Sequence, residues 1–191
     1  MIVWLVRHTT PNIAPGVCYG QSEVGLAASY QQELATLKAT LAGRTFAACF
    51  SSPLQRCRQL AEDVGQKPII DKRLMELNFG AWELKRWDAI DRTKAAYWGD
   101  HFVTEQCPGG ESFTDLAQRA TAFWQDLAVY ASAKHVLVVT HGGVIRALLA
   151  QLRGLSLDRA FEIEVACGQV IGAPWQRLQP PKSRRNNVKR T

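Results

Sequence analysis

Ile2-Val3-Trp4-Leu5-Val6-Arg7-His8-Thr9-Thr10-Pro11 opens as a short apolar run rich in β-branched residues and stops abruptly at a cation, an imidazole and turn-forming residues. Such a run reads as a buried strand. A strand that ends in Arg7-His8 suits an anionic ligand, although the same pair can close a strand at the surface. A second stretch answers it. Val136-Leu137-Val138-Val139-Thr140-His141-Gly142-Gly143 is another buried-strand run that ends in a histidine, and a helical pattern follows over Val144 to Leu152. Two strands that each deliver a histidine at the carboxyl end are far less expected by chance than one. In open α/β sheets, ligands bind outside the carboxyl ends of the strands.

Outward from these two runs, residues 9–25 read as a polar loop containing glycine and proline. Leu26, Tyr30, Leu34, Leu37 and Leu41 then recur at helical spacing, with Gly43 as the stop. Phe46 to Ser51 reads as a second buried strand. Ser52-Pro53 predicts a helix start, serine as N-cap and proline at the first helical position, with Gly65 as its end. Pro68-Ile69-Ile70 is a short third strand. Residues 71–112 are irregular and aromatic, with a helix predicted from Trp87 to Tyr97. Ser112 caps a further helix with Asp115 completing a capping box, and Phe113, Leu116, Ala120, Phe123, Leu127 and Tyr130 line its apolar face. Glu162–Val165 and Gln169–Trp175 read as late strands joined by a hairpin at Cys167-Gly168. Alternating strands and helices predict a three-layer α/β/α domain over residues 1–178 with a mainly parallel central sheet, the hairpin adding one antiparallel strand.

The chain has 191 residues, 47% of them hydrophobic, enough for one domain with a substantial core. No apolar run approaches a membrane span, and residues 1–6 lack the pattern of a signal peptide. Five scattered cysteines, Cys18, Cys49, Cys57, Cys107 and Cys167, form no CxxC and suggest reduced thiols in a cytoplasmic protein. The net charge of +6 arises mainly in the tail: Lys182, Arg184, Arg185, Lys189 and Arg190 supply five positive charges. Residues 179–191 are therefore expected to be a solvated, disordered end, and the high pI does not argue for nucleic-acid binding.

Arg56 falls in the first turn of the helix after Ser52-Pro53, beside a helix N-terminus, and Gly142-Gly143 opens another with unobstructed N–H groups. With Arg7, His8 and His141, this geometry fits a dianionic phosphoryl group, which arginine forks grip in a bidentate way. No P-loop, GxSxG elbow, GxGxxG or metal-ligand spacing occurs. A neutral histidine can attack phosphorus through one ring nitrogen while a hydrogen bond fixes the other. The stretch from Asp71 to Glu83 offers the proton donor. A carboxylic acid there, among apolar and aromatic neighbours, can stay protonated for general acid work, with Glu76 and Glu83 as the competing candidates.

Taken together, Arg7-His8-Thr9, Ser51-Ser52-Pro53-Leu54-Gln55-Arg56, Glu76 to Glu83, Pro108-Gly109-Gly110-Glu111-Ser112 and Thr140 to Arg146 resemble the histidine phosphatase superfamily, with its phosphoglycerate mutase-like fold. The resemblance spans about residues 1–175 with order and spacing kept. It implies that His8 is the nucleophile, that Arg7, Arg56 and His141 bind the phosphoryl oxygens, and that Glu76 is the proton donor and then the base for water. It implies no metal and no cofactor. Thr9, Gln21 and Gly142 are candidate substrate contacts. Arg146 is expected to make an internal ion pair, and His101 and His135 to be surface or strand-edge residues.

Within the superfamily, Arg7-His8-Thr9 and Cys18-Tyr19-Gly20-Gln21 are similar to segments of alpha-ribazole phosphatases of cobalamin biosynthesis. Thr9 replaces a glycine common elsewhere, Glu23 stands where an aspartate is common, and a mutase-like Glu-Thr-x-x-Asn pattern is absent. The aromatic region 79–102 either stacks on a flat base such as dimethylbenzimidazole or fills core. The expected function is dephosphorylation of alpha-ribazole 5'-phosphate. The alternatives are another small phosphoester, such as a sugar phosphate or phosphoglycerate, and an idle phosphate-binding module. A small phosphoester is the expected partner, with no nucleic acid or membrane; a homodimer is left open.

Overall fold

The computed structural model describes residues 1–179; residues 180–191, and with them nearly all of the predicted tail, lie outside the described residues. In chain order the strands are β1 (Ile2–Arg7), β2 (Pro11–Asn12), β3 (Gly25–Leu26), β4 (Cys49–Ser51), β5 (Ile69–Ile70), β6 (His135–Thr140) and β7 (Val170–Pro174). The α-helices are α1 (Tyr30–Leu41), α2 (Gln55–Asp63), α3 (Arg92–His101), α4 (Phe113–Asp126) and α5 (Gly142–Leu152). The central sheet has the order β5–β4–β6–β1–β7. All its pairings are parallel except β1 with β7, where Ile2 faces Pro174 and Val6 faces Val170.

The two opening runs lie side by side, Arg7 opposite Thr140 in register. Because side chains alternate across a strand, Val3, Leu5, Val136 and Val138 enter the core against α4 and α5. Val6, Leu137 and Val139 enter the core with α1 and α2 on the other face. A strand buried on both faces must be apolar at consecutive positions, which is why these runs carry no polar alternation. The mainly parallel three-layer architecture is thus as expected.

Several boundaries differ from the sequence reading. Leu26 belongs to β3, paired with Pro11 of β2 in a small antiparallel ribbon, so α1 begins only at Tyr30. The strand expected from Phe46 is shortened to β4. Helix α2 starts at Gln55 with Leu54 at the N-cap position and no side-chain cap. Ser52 lies two residues before that N-cap; its hydroxyl accepts from Leu54 N–H at 3.4 Å and meets His141 Nε2 at 2.8 Å. The helix expected over Trp87–Tyr97 starts later: Asp91 accepts from Lys94 N–H and caps α3, while Trp87–Ala89 forms a 3₁₀ turn. Glu162–Val165 is not a strand. The carbonyls of Ile163 and Val165 accept from the Arg146 and Arg7 side chains instead of a neighbouring strand, and β7 pairs with β1 without a hairpin. The Ser112–Asp115 capping box is present as expected.

Candidate active site

The carboxyl ends of β1, β4 and β6 deliver His8, Ser52 and His141 to one place. His8 N–H bonds to Thr140 O at 3.0 Å and Ser52 N–H to Val139 O at 3.1 Å, so the residues following the three strands are held together by the sheet itself. The imidazoles of His8 and His141 meet edge to face, centroids 5.1 Å apart. Both histidines are buried.

His8 Nδ1 lies 2.7 Å from Thr9 O. A carbonyl can only accept, so Nδ1 carries the hydrogen and the lone pair is left to Nε2. Burial, with the positive charges of Arg56 and Arg7 adding to it, pushes the His8 pKa down to about 3 against the pull of the Thr9 hydrogen bond. His141 is held well below the ordinary imidazole range by burial and by Arg56. Both rings are therefore neutral at pH 7. His141 Nε2 also lies 3.4 Å from the Cys57 thiol, which burial keeps protonated.

Arg56 is fully buried, in the first turn of α2. Its Nη2 donates to Gly20 O at 2.6 Å and its Nη1 to Ser22 O at 2.9 Å, while its Nε has no partner. Arg7 donates through Nη1 to Val165 O at 2.6 Å, and its Nε is likewise buried without a partner. Thr9 Oγ1 is a third orphan. Arg146 donates through Nε to Ile163 O at 3.0 Å and lies over the Phe161 ring. The ion pair expected for it is not formed: burial and the neighbouring Arg7 push its pKa down, against the opposing charge of Glu76. Where a Cβ on Gly142 would stand, Arg146 Nη1 is 2.7 Å away and Arg7 Cζ 3.3 Å, so the glycine lets the two guanidiniums close in. Among the described residues, no ion pair joins Arg7, Arg56 or Arg146 to a carboxylate. Buried cations without counter-charge are costly, and an anionic ligand would supply what the protein withholds.

Glu76 occupies the start of α5. Gly143 N–H lies 3.1 Å from each of its carboxylate oxygens and Leu77 N–H lies 3.0 Å from Oε1. The contacts are peptide donors, not the apolar surroundings expected from sequence, and the N–H of Gly143 is not unobstructed. A Cβ on Gly143 would stand 2.3 Å from Glu76 Oε1, so only glycine leaves room for this carboxylate. Glu83, the competing candidate, is consumed elsewhere. It accepts from Gln21 N–H at 2.8 Å, from the Ser22 N–H and hydroxyl, and from Phe79 N–H at 3.2 Å. Burial raises its pKa, but these donors outweigh it and hold the carboxyl below the usual range. Gln21 points its amide at Glu76 O, 3.0 Å away.

Sequence reasoning missed Arg119, on α4. It pairs with Glu111 at 2.8 Å and donates to the carbonyls of Arg73, Met75 and Glu76, fixing the chain that carries Glu76. Its only sequence signal is a cation three residues after Leu116 of the apolar face. The aromatic region packs mainly on itself: Trp87 and Trp98 stack with centroids 6.0 Å apart, and Phe79 meets both edge-on. His101 is exposed; His135, at the start of β6, accepts from Trp4 Nε1.

Residues 3–187 match the model of the histidine phosphatase superfamily (branch 1). The chain belongs to this superfamily. Among curated members, the adenosylcobalamin/alpha-ribazole phosphatase of Escherichia coli is 29% identical over 182 residues, 90% of this chain and 89% of that protein. A 2,3-bisphosphoglycerate-dependent phosphoglycerate mutase of Methylorubrum extorquens is 32% identical over 143 residues, 66% of this chain and 65% of the mutase. Among solved structures, the alpha-ribazole phosphatase of Shigella flexneri superposes with a TM-score of 0.83 at 24% identity, covering 96% of both chains. A phosphoglycerate mutase of Thermus thermophilus does so with 0.73 at 30% identity, covering 93% of this chain and 95% of the other. The matched stretch covers β6 and all of β1 after Ile2. No helix among the described residues is long and apolar enough to cross a membrane.

Proposed function

We propose that the protein is a phosphomonoesterase that works through a phosphohistidine on His8 and takes alpha-ribazole 5'-phosphate as substrate. One observation carries the chemistry: guanidinium groups with no carboxylate partner surround a neutral imidazole whose only ring N–H is already bonded. Arg7 and Arg56 grip the phosphoryl oxygens, with His141 and the N-terminal turn of α5 at Gly142 completing the cradle and the orphaned Thr9 hydroxyl free to join it. The lone pair on His8 Nε2 attacks phosphorus in line with the ester oxygen; an N–P bond forms as the P–O bond breaks. Glu76 gives its proton to the departing alkoxide, and Gln21 and Arg119 hold its backbone while it does so. Glu76 then takes a proton from water as the water oxygen attacks phosphorus. The N–P bond breaks, inorganic phosphate leaves and neutral His8 returns.

The choice of substrate rests on the likeness to the Escherichia coli protein over nine-tenths of the chain and on the Cys18-Tyr19-Gly20-Gln21 segment. All five cysteines are free, which fits a reducing cytoplasm. The test is to quench the protein during turnover of alpha-ribazole 5'-[³²P]phosphate. An acid-labile, base-stable label on His8, absent from His8→Ala, is expected; steady turnover with His8 unlabelled overturns the mechanism.

A second reading is favoured by Arg146, a further unpaired cation beside Arg7. It would suit a substrate with a second anionic group, such as phosphoglycerate. A higher kcat/KM for 3-phosphoglycerate than for alpha-ribazole 5'-phosphate would move the assignment there.

A further inference from the structure

Tyr19 stands in the 9–25 loop between two fixed backbone groups. Cys18 N–H bonds to Lys85 O at 2.8 Å, and Gly20 O accepts from Arg56. Gly20 itself is pressed so closely against the chain that a Cβ would lie 1.9 Å from Leu77 O. The loop cannot retreat without breaking these contacts, so the position of Tyr19 is set. Its ring lies against the buried guanidinium, with Arg56 Cζ 5.6 Å from the ring centroid. Its phenol feels the charges of Arg7, Arg56 and Glu76, and no described group is hydrogen-bonded to it. Burial raises the phenol pKa while the two arginines oppose it, and the net rise leaves the O–H a donor at neutral pH.

We propose that Tyr19 is a further substrate-contacting residue, its hydroxyl donating a hydrogen bond to a nonbridging oxygen of the phosphoryl group gripped by Arg7 and Arg56, while its ring shields Arg56 from water. The assignment rests on the phosphatase reading and adds a residue to it. Nonbridging oxygens are common to the ester, the phosphohistidine and inorganic phosphate, so all three feel this donor. A contact to the bridging oxygen would be felt by the ester alone. A neutral donor also adds a bond without adding charge to a site that already holds three unpaired guanidiniums.

The test is Tyr19→Phe, which keeps the ring and removes one oxygen. Inorganic phosphate, titrated calorimetrically, is expected to bind about tenfold more weakly, as for a lost hydrogen bond to a charged group. The kcat/KM values for p-nitrophenyl phosphate and for an alkyl phosphate are expected to fall by similar factors, with the melting temperature of the free protein unchanged. Unchanged phosphate affinity overturns the proposal. A loss confined to the alkyl ester, whose leaving group is poor, overturns it too, because the donor would then serve the bridging oxygen. Phosphate binding needs no turnover: should His8 never become phosphorylated, the phosphatase reading fails while the titration still judges Tyr19.

Discussion

Two sets of arginines in this molecule are treated in opposite ways. Arg73 and Arg119 are neutralised within the protein, Arg73 by Asp71 and Asp126 and Arg119 by Glu111. Arg7, Arg56 and Arg146 meet carbonyl oxygens and aromatic rings but no acid. Burial alone does not separate the sets, since half-buried Arg146 belongs to the second. What separates them is the counter-charge. A cation that holds the scaffold brings its acid along; on the proposed reading, a cation that binds the phosphoryl group leaves that place open. Burial first, and then the positive charge of Arg56 and Arg7, opposes protonation of His8 and His141.

The sharpest way to break the comparison is to delete one arginine from each set. On the proposed mechanism Arg56→Met removes a phosphoryl-binding cation, so kcat for p-nitrophenyl phosphate is expected to fall by roughly 10²–10³, the range for losing one donor to developing charge. Its stability in urea should move by less than about 1 kcal/mol, since two lost hydrogen bonds are offset by removing an unpaired buried charge. Phosphate should raise the melting temperature of the parent but not of this variant. Arg119→Met should do the reverse, destabilising by about 3 kcal/mol because Glu111 and three carbonyls lose their donor, while phosphate still raises its melting temperature. Equal losses of stability in the two variants would erase the distinction.

A smaller effect comes from pH. An unfolded His8 titrates near the ordinary value of 6.5 and the folded one near 3, so between these values the unfolded chain binds the extra proton and stability falls as pH falls. At pH 5 this amounts to about 2 kcal/mol from His8 alone, with His141 acting in the same direction. Urea titrations of the parent and His8→Ala between pH 7 and 4 check it: the variant's profile should be flatter.

Most of the frame was legible because it follows from local pattern. β1 and β6 are apolar at consecutive positions, and the Ser112–Asp115 box announces α4 within four residues. His8, Arg56 and His141 could be placed because each follows a strand directly or sits in the next helix turn. What could not be read depends on partners distant in sequence. Ser52 looked like a cap, but the helix begins at Gln55, and the Ser52 hydroxyl also meets a histidine 89 residues away. Glu162–Val165 looked like a strand, but its carbonyls are taken by Arg7 and Arg146. Arg146 looked paired because charged residues on helices usually are; that it has no acid is a fact of three dimensions. Glu76 sits at the start of α5 while Glu83 is taken up by donors from the 21–22 loop and Phe79, and the peptide-donor seat of Glu76 has no local signature.

The clamp from Arg56 to Gly20 and Ser22 has a bearing on how such a protein can change. Both acceptors are main-chain oxygens, which every residue type provides. Side chains facing the ligand from that loop can therefore be exchanged without loosening the guanidinium they surround. Preference for one ester over another can drift across generations while the machinery for cleaving it stays anchored.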